Sequence, residues 1–202
     1  MSRPISTKPT GRPREFDADE ALERALELFW RQGYEGTSLG ELTAAMGINR
    51  PSLYAAFGNK ESLFRKALDR YVGAGMAFLR DALEEPTARR AIETLLRGYV
   101  ALVTDPRTPA GCLTVNGALA CGPDTDSIRA ELTARRLAGE AAIRARLQRA
   151  RKDGDLPPDA NPADLARYIN TIAQGIAVQA AGGASHKQLD HVVDVALHAW
   201  PN

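Results

Sequence analysis

Cysteine is almost absent from this chain. Its 202 residues hold only two, Cys112 and Cys121, too few for a disulfide framework. No His/Cys set at ligand spacing accompanies them, so neither a metal nor a cofactor is expected. No apolar run approaches the ~18 residues needed to cross a membrane. The stretch from Met1 to Arg14 carries charges and prolines but no apolar core; it does not read as a secretory signal, and a cytoplasmic protein is expected. Alternating β-branched runs longer than a few residues are missing, which leaves nothing to build a sheet. Also lacking are a nucleophile–base pair, a paired-carboxylate site and a phosphate loop, so nothing points to an enzyme.

What is present is an ordinary globular composition, 44% hydrophobic and 25% charged with a net charge of +1. Charge distribution says more than the total. Arg3, Lys8, Arg12 and Arg14 precede the first acid, Glu15, and residues 1–14 read as a flexible basic arm. A second basic concentration runs from Arg129 to Lys152, where the acids are Glu131 and Glu140; it suits either a solvated face or an anionic small molecule.

Helical periodicity begins at Asp17. Leu22, Ala25, Leu26 and Phe29 fall on one face, and Gly33 is a plausible stop. Thr37 and Ser38 then offer hydroxyl caps for a short helix, with Glu41 placed as in a capping box. That helix ends at Gly47. Asn49 caps the next, which tolerates Pro51 only in its first turn and breaks at Gly58-Asn59. A longer helix starts near Lys60, with Leu63, Phe64, Ala67, Leu68 and Tyr71 on one side. Beyond it, Ile92 to Val103, Cys112 to Ala120, Thr125 to Lys152, Asn161 to Ala181 and Ser185 to Trp200 read as further helices. The fold class is therefore all-α. We divide it into the arm (1–14), a three-helix helix-turn-helix domain (15–70, motif 38–57) and a larger helical domain (71–202).

The segment 38–57 has the parts of a DNA reader: a short helix to brace on the backbone, a glycine turn at Gly47, and a second helix anchored by Leu53 and Phe57. Asn49, Arg50, Ser52 and Tyr54 are left outside. The residues Thr37-Ser38-Leu39-x-Glu41-Leu42, Gly47-Ile48-Asn49, and Ser52-Leu53-Tyr54-x-x-Phe57-Gly58-x-Lys60-Glu61-x-Leu63-Phe64 resemble the TetR/AcrR family of bacterial regulators. So does the preceding Ala25-Leu26-x-Leu28-Phe29 with Gly33-Tyr34-x-x-Thr37. The resemblance covers roughly residues 15–70.

It implies that Thr37 and Ser38 meet a phosphate at a helix N-terminus, that Tyr54 and Lys60 contact the DNA backbone, and that Asn49, Arg50 and Ser52 are candidates for base contacts. Arg50 suits either a guanine or a phosphate. Gly11-Arg12-Pro13-Arg14 resembles a minor-groove insert, with Arg12 and Arg14 as its charges. It also implies an effector-binding and dimerisation domain, a homodimer through the last two helices; on these, Ala173, Gly175, Ala177 and Ala180 either allow close approach of a partner helix with Trp200 as an interface anchor, or face their own domain's core. Phe78, Leu102, Cys112, Asn116 and Gln174 are the candidate effector pocket. The implied partners are a double-stranded DNA operator and an unidentified small-molecule effector, with no membrane. The implied function is a repressor released from a palindromic operator by that effector. The alternatives are an activator, or a thiol-based redox-responsive regulator using Cys112; in a continuous helix 112–121 the two sulfurs would lie too far apart to bridge.

Overall fold

The computed structural model describes residues 16–75, 77–119 and 125–201; the expected arm with Arg12 and Arg14, and Cys121, lie outside these. All regular structure among the described residues is helical, in ten elements: α1 (Ala18–Gly36), α2 (Leu39–Met46), α3 (Arg50–Phe57), α4 (Lys60–Gly75), α5 (Ala77–Leu83), α6 (Ala88–Val103), α7 (Leu113–Leu119), α8 (Asp126–Lys152), α9 (Pro162–Ala181) and α10 (His186–His198). No helix among the described residues is long and apolar enough to cross a membrane.

Local chemistry fixes most of these boundaries. Asp17 caps α1 by accepting from the Asp19 and Glu20 N–H groups at 2.8 and 3.2 Å. Inside α1 the chain departs from helical geometry at Gly33, whose φ of 72° lies where only glycine is unstrained; the expected stop is thus a break followed by one more turn. Asn49, Asn59, Asn161 and Ser185 each cap the helix that follows them by accepting a backbone N–H. These caps satisfy donors that a helix N-terminus would otherwise leave orphaned.

Two packed regions share α4. In the first, α1 to α4 close around Phe29, Leu42, Leu53, Phe57, Leu63 and Phe64, all buried. Phe29 and Phe64 meet edge to face at 5.0 Å, and Tyr34 meets Phe64 at 5.3 Å. In the second, α8 packs along α9, α6 lies against α9 and α10, and α5 covers α6. Phe78 of α5 sits on Gly98 of α6, where an added Cβ would come within 2.6 Å of its ring.

The regions are bolted together through α1, α4 and α7. Trp30 of α1 donates its indole N–H to the carbonyl of Gly111 at 3.2 Å and stands edge-on to Tyr71 at 4.7 Å. Ser127 of α8 donates to Glu61 of α4 at 3.0 Å, and Arg135 pairs with Asp69. Gly111 is held at φ 89°, and a Cβ there would lie 2.5 Å from Asn116 Nδ2.

The second region corrects one expectation about the partner face. Trp200 is only 5% exposed and joins its own chain's core. It is not presented as an anchor, because α10 turns its Leu189–Val193–Ala196–Leu197 side inward and Trp200 continues that side. Ala177 and Ala180 are also buried within the chain. Exposed on these helices are Tyr168, Gly175 and Val178 of α9 with Val192 and Val195 of α10, the last 71% exposed.

Candidate nucleic-acid interface and internal cavity

The α2–turn–α3 unit is built by its own short-range hydrogen bonds. Ser38 Oγ accepts from the Glu41 N–H at 3.2 Å, while the Ser38 N–H donates to Glu41 Oε2 at 2.8 Å, a reciprocal capping box. Hydrogen bonding to Ser38, through its side chain and its backbone, holds the Glu41 carboxyl below its ordinary range, since it favours the charged form. Gly47 adopts the left-handed conformation, φ 68° and ψ 28°, and redirects the chain into α3 with Ile48 N–H bonded to Thr43 O at 3.1 Å. Leu42 and Met46 below α2, and Leu53 and Phe57 below α3, are buried. The N-terminal edge of α3 is thereby turned outward.

On that edge Arg50 is exposed, and no hydrogen bond or ion pair holds its guanidinium among the described residues. Tyr54, one turn on, is 50% exposed, unusual for a large aromatic on an eight-residue helix. Ser52 is half-buried. Asn49 is exposed, but its Oδ1 already accepts the Ser52 N–H at 2.9 Å, so it serves first as the cap. Lys60, opening α4, lies with its ammonium 4.4 Å from the centre of the Tyr34 ring. Burial lowers the Lys60 pKa from its ordinary value, and the charges of Glu35 and Glu41 partly restore it.

Thr37 departs from its expected role. It is fully buried and donates its hydroxyl to Gly33 O at 2.7 Å, so the hydroxyl latches the end of α1 and does not face a phosphate. Ser38 and Asn49 cap α2 and α3, Arg50, Ser52 and Tyr54 stand on α3, and Lys60 opens α4.

A cavity of about 570 Å³ lies between α4, α5, α6, α7, α8 and α9. Its walls are mainly apolar, with Phe78, Leu83, Leu95, Val115, Ile143 and Ala173 prominent. Two of the five expected pocket residues, Phe78 and Gln174, line it; Leu102, Cys112 and Asn116 do not. Leu102 packs on the core from α6, and Asn116 turns toward Gly111. Cys112 sits one layer behind the wall, where Tyr71 donates its hydroxyl to Sγ at 3.2 Å and Thr114 Oγ1 lies at 3.1 Å. Burial, reinforced by the neighbouring thiol, pushes the Tyr71 and Tyr99 phenols up. Cys112 is thus a buried, hydrogen-bonded core thiol that precedes α7.

Residues that sequence reasoning does not pick out also line the cavity: Tyr99, Thr114, Arg135, Arg136 and Asn170. Asn170 could be found, since it stands one turn before Gln174 on the same face of α9. Nothing in the sequence separates Arg136 from the other arginines of α8.

Comparison with known proteins covers most of the chain. The family model described as bacterial regulatory proteins of the tetR family matches residues 21–67, and that of the tetracyclin repressor-like C-terminal domain matches residues 86–196. The chain is 37% identical to the HTH-type transcriptional repressor ComR of Escherichia coli, over 96% of this chain and 93% of that one. It is 31% identical to the HTH-type transcriptional repressor BdcR of the same organism, over 89% and 86%. Among solved structures, a cysteine mutant of the TetR family transcriptional regulator CifR, complexed with 26-bp double-strand operator DNA, superposes with a TM-score of 0.91 at 46% identity. It covers 94% of this chain and 100% of that one. The chain belongs to the TetR family of bacterial regulatory proteins.

Proposed function

We propose that this chain is a sequence-specific DNA-binding transcriptional repressor, not an enzyme, which binds a palindromic operator as a homodimer and leaves it when a small molecule fills the α4–α9 cavity. The observation that carries the reading is the outward edge of α3, where an Arg50 with no partner among the described residues and a half-exposed Tyr54 stand over a fully packed base. Arg50 suits guanine O6 and N7 or a phosphate; Tyr54, Ser38 and Lys60 suit phosphates. The partner face is the strip of Val178, Val192 and Val195 on α9 and α10, apolar residues left exposed on a single chain. A two-fold pair of reading heads about one DNA turn apart then matches a palindrome. A protein that reads the chromosome works in the cytoplasm of a bacterium.

Release follows from the shared helix. Lys60 opens α4 at the DNA face, while Val72 and Gly73, near the other end of α4, line the cavity. A ligand that fits the cavity better when α4 is displaced must, by linkage, bind the DNA-competent form less well. The functional division is 1–14 for a DNA-touching arm, 15–70 for the reading head and 71–202 for sensing and dimerisation. The test is to incubate the full chain with fragments of its source genome and sequence those retained. Enrichment of palindromic fragments, absent with an Arg50→Ala/Tyr54→Ala double variant, is the expected result; uniform retention would overturn the reading.

A further inference from the structure

Among the described residues, the lining of the cavity has one sign of charge. Arg80, Arg135 and Arg136 contribute to it, and no Asp or Glu does. Two of the three need no ligand. Arg135 is neutralised by Glu131 and Asp69, and Arg80 is exposed to solvent. Arg136 differs. It is half-buried, it makes no ion pair among the described residues, and its two hydrogen bonds go to neutral acceptors: Nη1 to Thr114 O at 2.8 Å and Nη2 to Thr133 Oγ1 at 3.0 Å. A guanidinium has five N–H groups, so three are left over. The two bonds hold the side chain in place without cancelling its charge.

Asn170 and Gln174 of α9 join Arg136 at this end, because all three line both the cavity and an adjoining cleft of about 260 Å³. The cleft adds Glu140, but that carboxylate is already taken by Arg167 at 2.8 Å and Asn170 at 3.1 Å. One half-buried cation with no acidic partner among the described residues, flanked by two amides, therefore stands at this end of a mainly apolar cavity. Holding such a cation partly out of water with no opposite charge beside it is unfavourable, and a bound anion would relieve it.

Resting on the reading of this cavity as the effector site, we propose that its ligand is a monocarboxylate amphiphile. An apolar body would lie against Phe78, Leu95 and Ile143, and a single carboxylate would be received by Arg136, Asn170 and Gln174. Arg80 also lacks an acidic partner among the described residues but stands in solvent, so Arg136 is the guanidinium that the fold fixes in place for one negative charge, and the cavity volume falls within the range of sites that enclose small organic ligands.

The experiment is calorimetric titration of the full chain with octanoate and octanamide, then phenylbutyrate and phenylbutyramide, pairs that differ only in the head group. Each acid is expected to bind at least about tenfold more tightly than its amide, the effect of a charge-assisted bidentate contact. Arg136→Gln is expected to abolish the preference, Arg136→Lys to keep part of it, and Ala173→Phe, which fills the chamber, to weaken acid and amide alike. The comparison within the unaltered chain stands even if a variant fails to fold. Equal affinity for acid and amide, both abolished in Ala173→Phe, would overturn the anionic ligand while leaving the cavity as a binding site. A preference untouched by Arg136→Gln and Ala173→Phe, or no binding of any of the four probes, would also overturn it. If a probe binds as expected but saturating amounts leave DNA binding unchanged, the release reading fails and the ligand class survives.

Discussion

The two working regions of this protein are assembled in opposite ways. Asn49, Arg50, Ser52 and Tyr54 stand on one short helix and its cap, and their orientation is set by bonds such as Ser52 N–H to Asn49 Oδ1. Tyr99, Thr114, Arg136 and Asn170 come from α6, α7, α8 and α9, and meet only once the whole second region has packed. The first arrangement can be varied one side chain at a time. The second depends on packing between helices far apart in sequence, which lets it change its ligand without changing the fold.

The largest expected effect breaks the packed base of the reading head. Phe64→Ala removes the ring that meets both Phe29 and Tyr34 and should destabilise the chain by about 3–5 kcal/mol, measured by denaturant unfolding. Because α4 belongs to both regions, a single cooperative transition is expected to shift; loss of the reading head alone would mean the two unfold independently.

Next is the junction. Gly111→Ala forces a side chain into a left-handed residue and against Asn116, and should cost about 1–3 kcal/mol. The measurement that sharpens the comparison is ligand-induced release from DNA, which should weaken more than DNA affinity itself if the Trp30–Gly111 hydrogen bond joins the two regions.

On the reading head's side, deleting residues 1–14 should weaken operator affinity and reduce the slope of log affinity against log salt by up to about 4, one unit for each phosphate no longer neutralised. An unchanged slope would remove the arm from the interface.

The smallest effect concerns the cap. Ser38→Ala should cost about 1 kcal/mol at neutral pH. The Glu41 carboxyl has a lowered pKa in the folded chain, so its contribution is complete above the ordinary carboxylate value of about 4.3 and is lost as pH falls through the folded value. Melting curves of the native chain and Glu41→Ala should therefore differ most near neutrality and converge in acid.

How much of this is legible in the sequence follows the same contrast. Caps, glycine turns and apolar stripes place the starts of α1 and α4 and both ends of α2, α3, α8, α9 and α10 within a residue or two, because each is set by its neighbours along the chain; α1 itself runs past the Gly33 break to Gly36. Thr37 misleads because a hydroxyl beside a helix start can cap, face solvent or latch the preceding turn, and only the fold shows it donating to Gly33. Trp200 looks like an anchor because periodicity says which residues share a face, not whether that face meets its own chain or another. Phe78 and Gln174 do reach the cavity wall as expected, but Arg136 is hidden among the arginines of α8, where its lack of an acidic partner among the described residues is a tertiary fact.

The most direct test of the central claim is fluorescence anisotropy of the full chain on a retained genomic fragment and on the same fragment with its sequence scrambled, both at physiological salt. The account predicts a preference of at least about 10³ for the intact sequence, two chains bound per fragment, and weaker binding of the intact sequence by Arg50→Ala with the fold intact, the preference falling if Arg50 reads guanine and staying if it holds a phosphate. Equal affinity for the intact and scrambled sequences would contradict it.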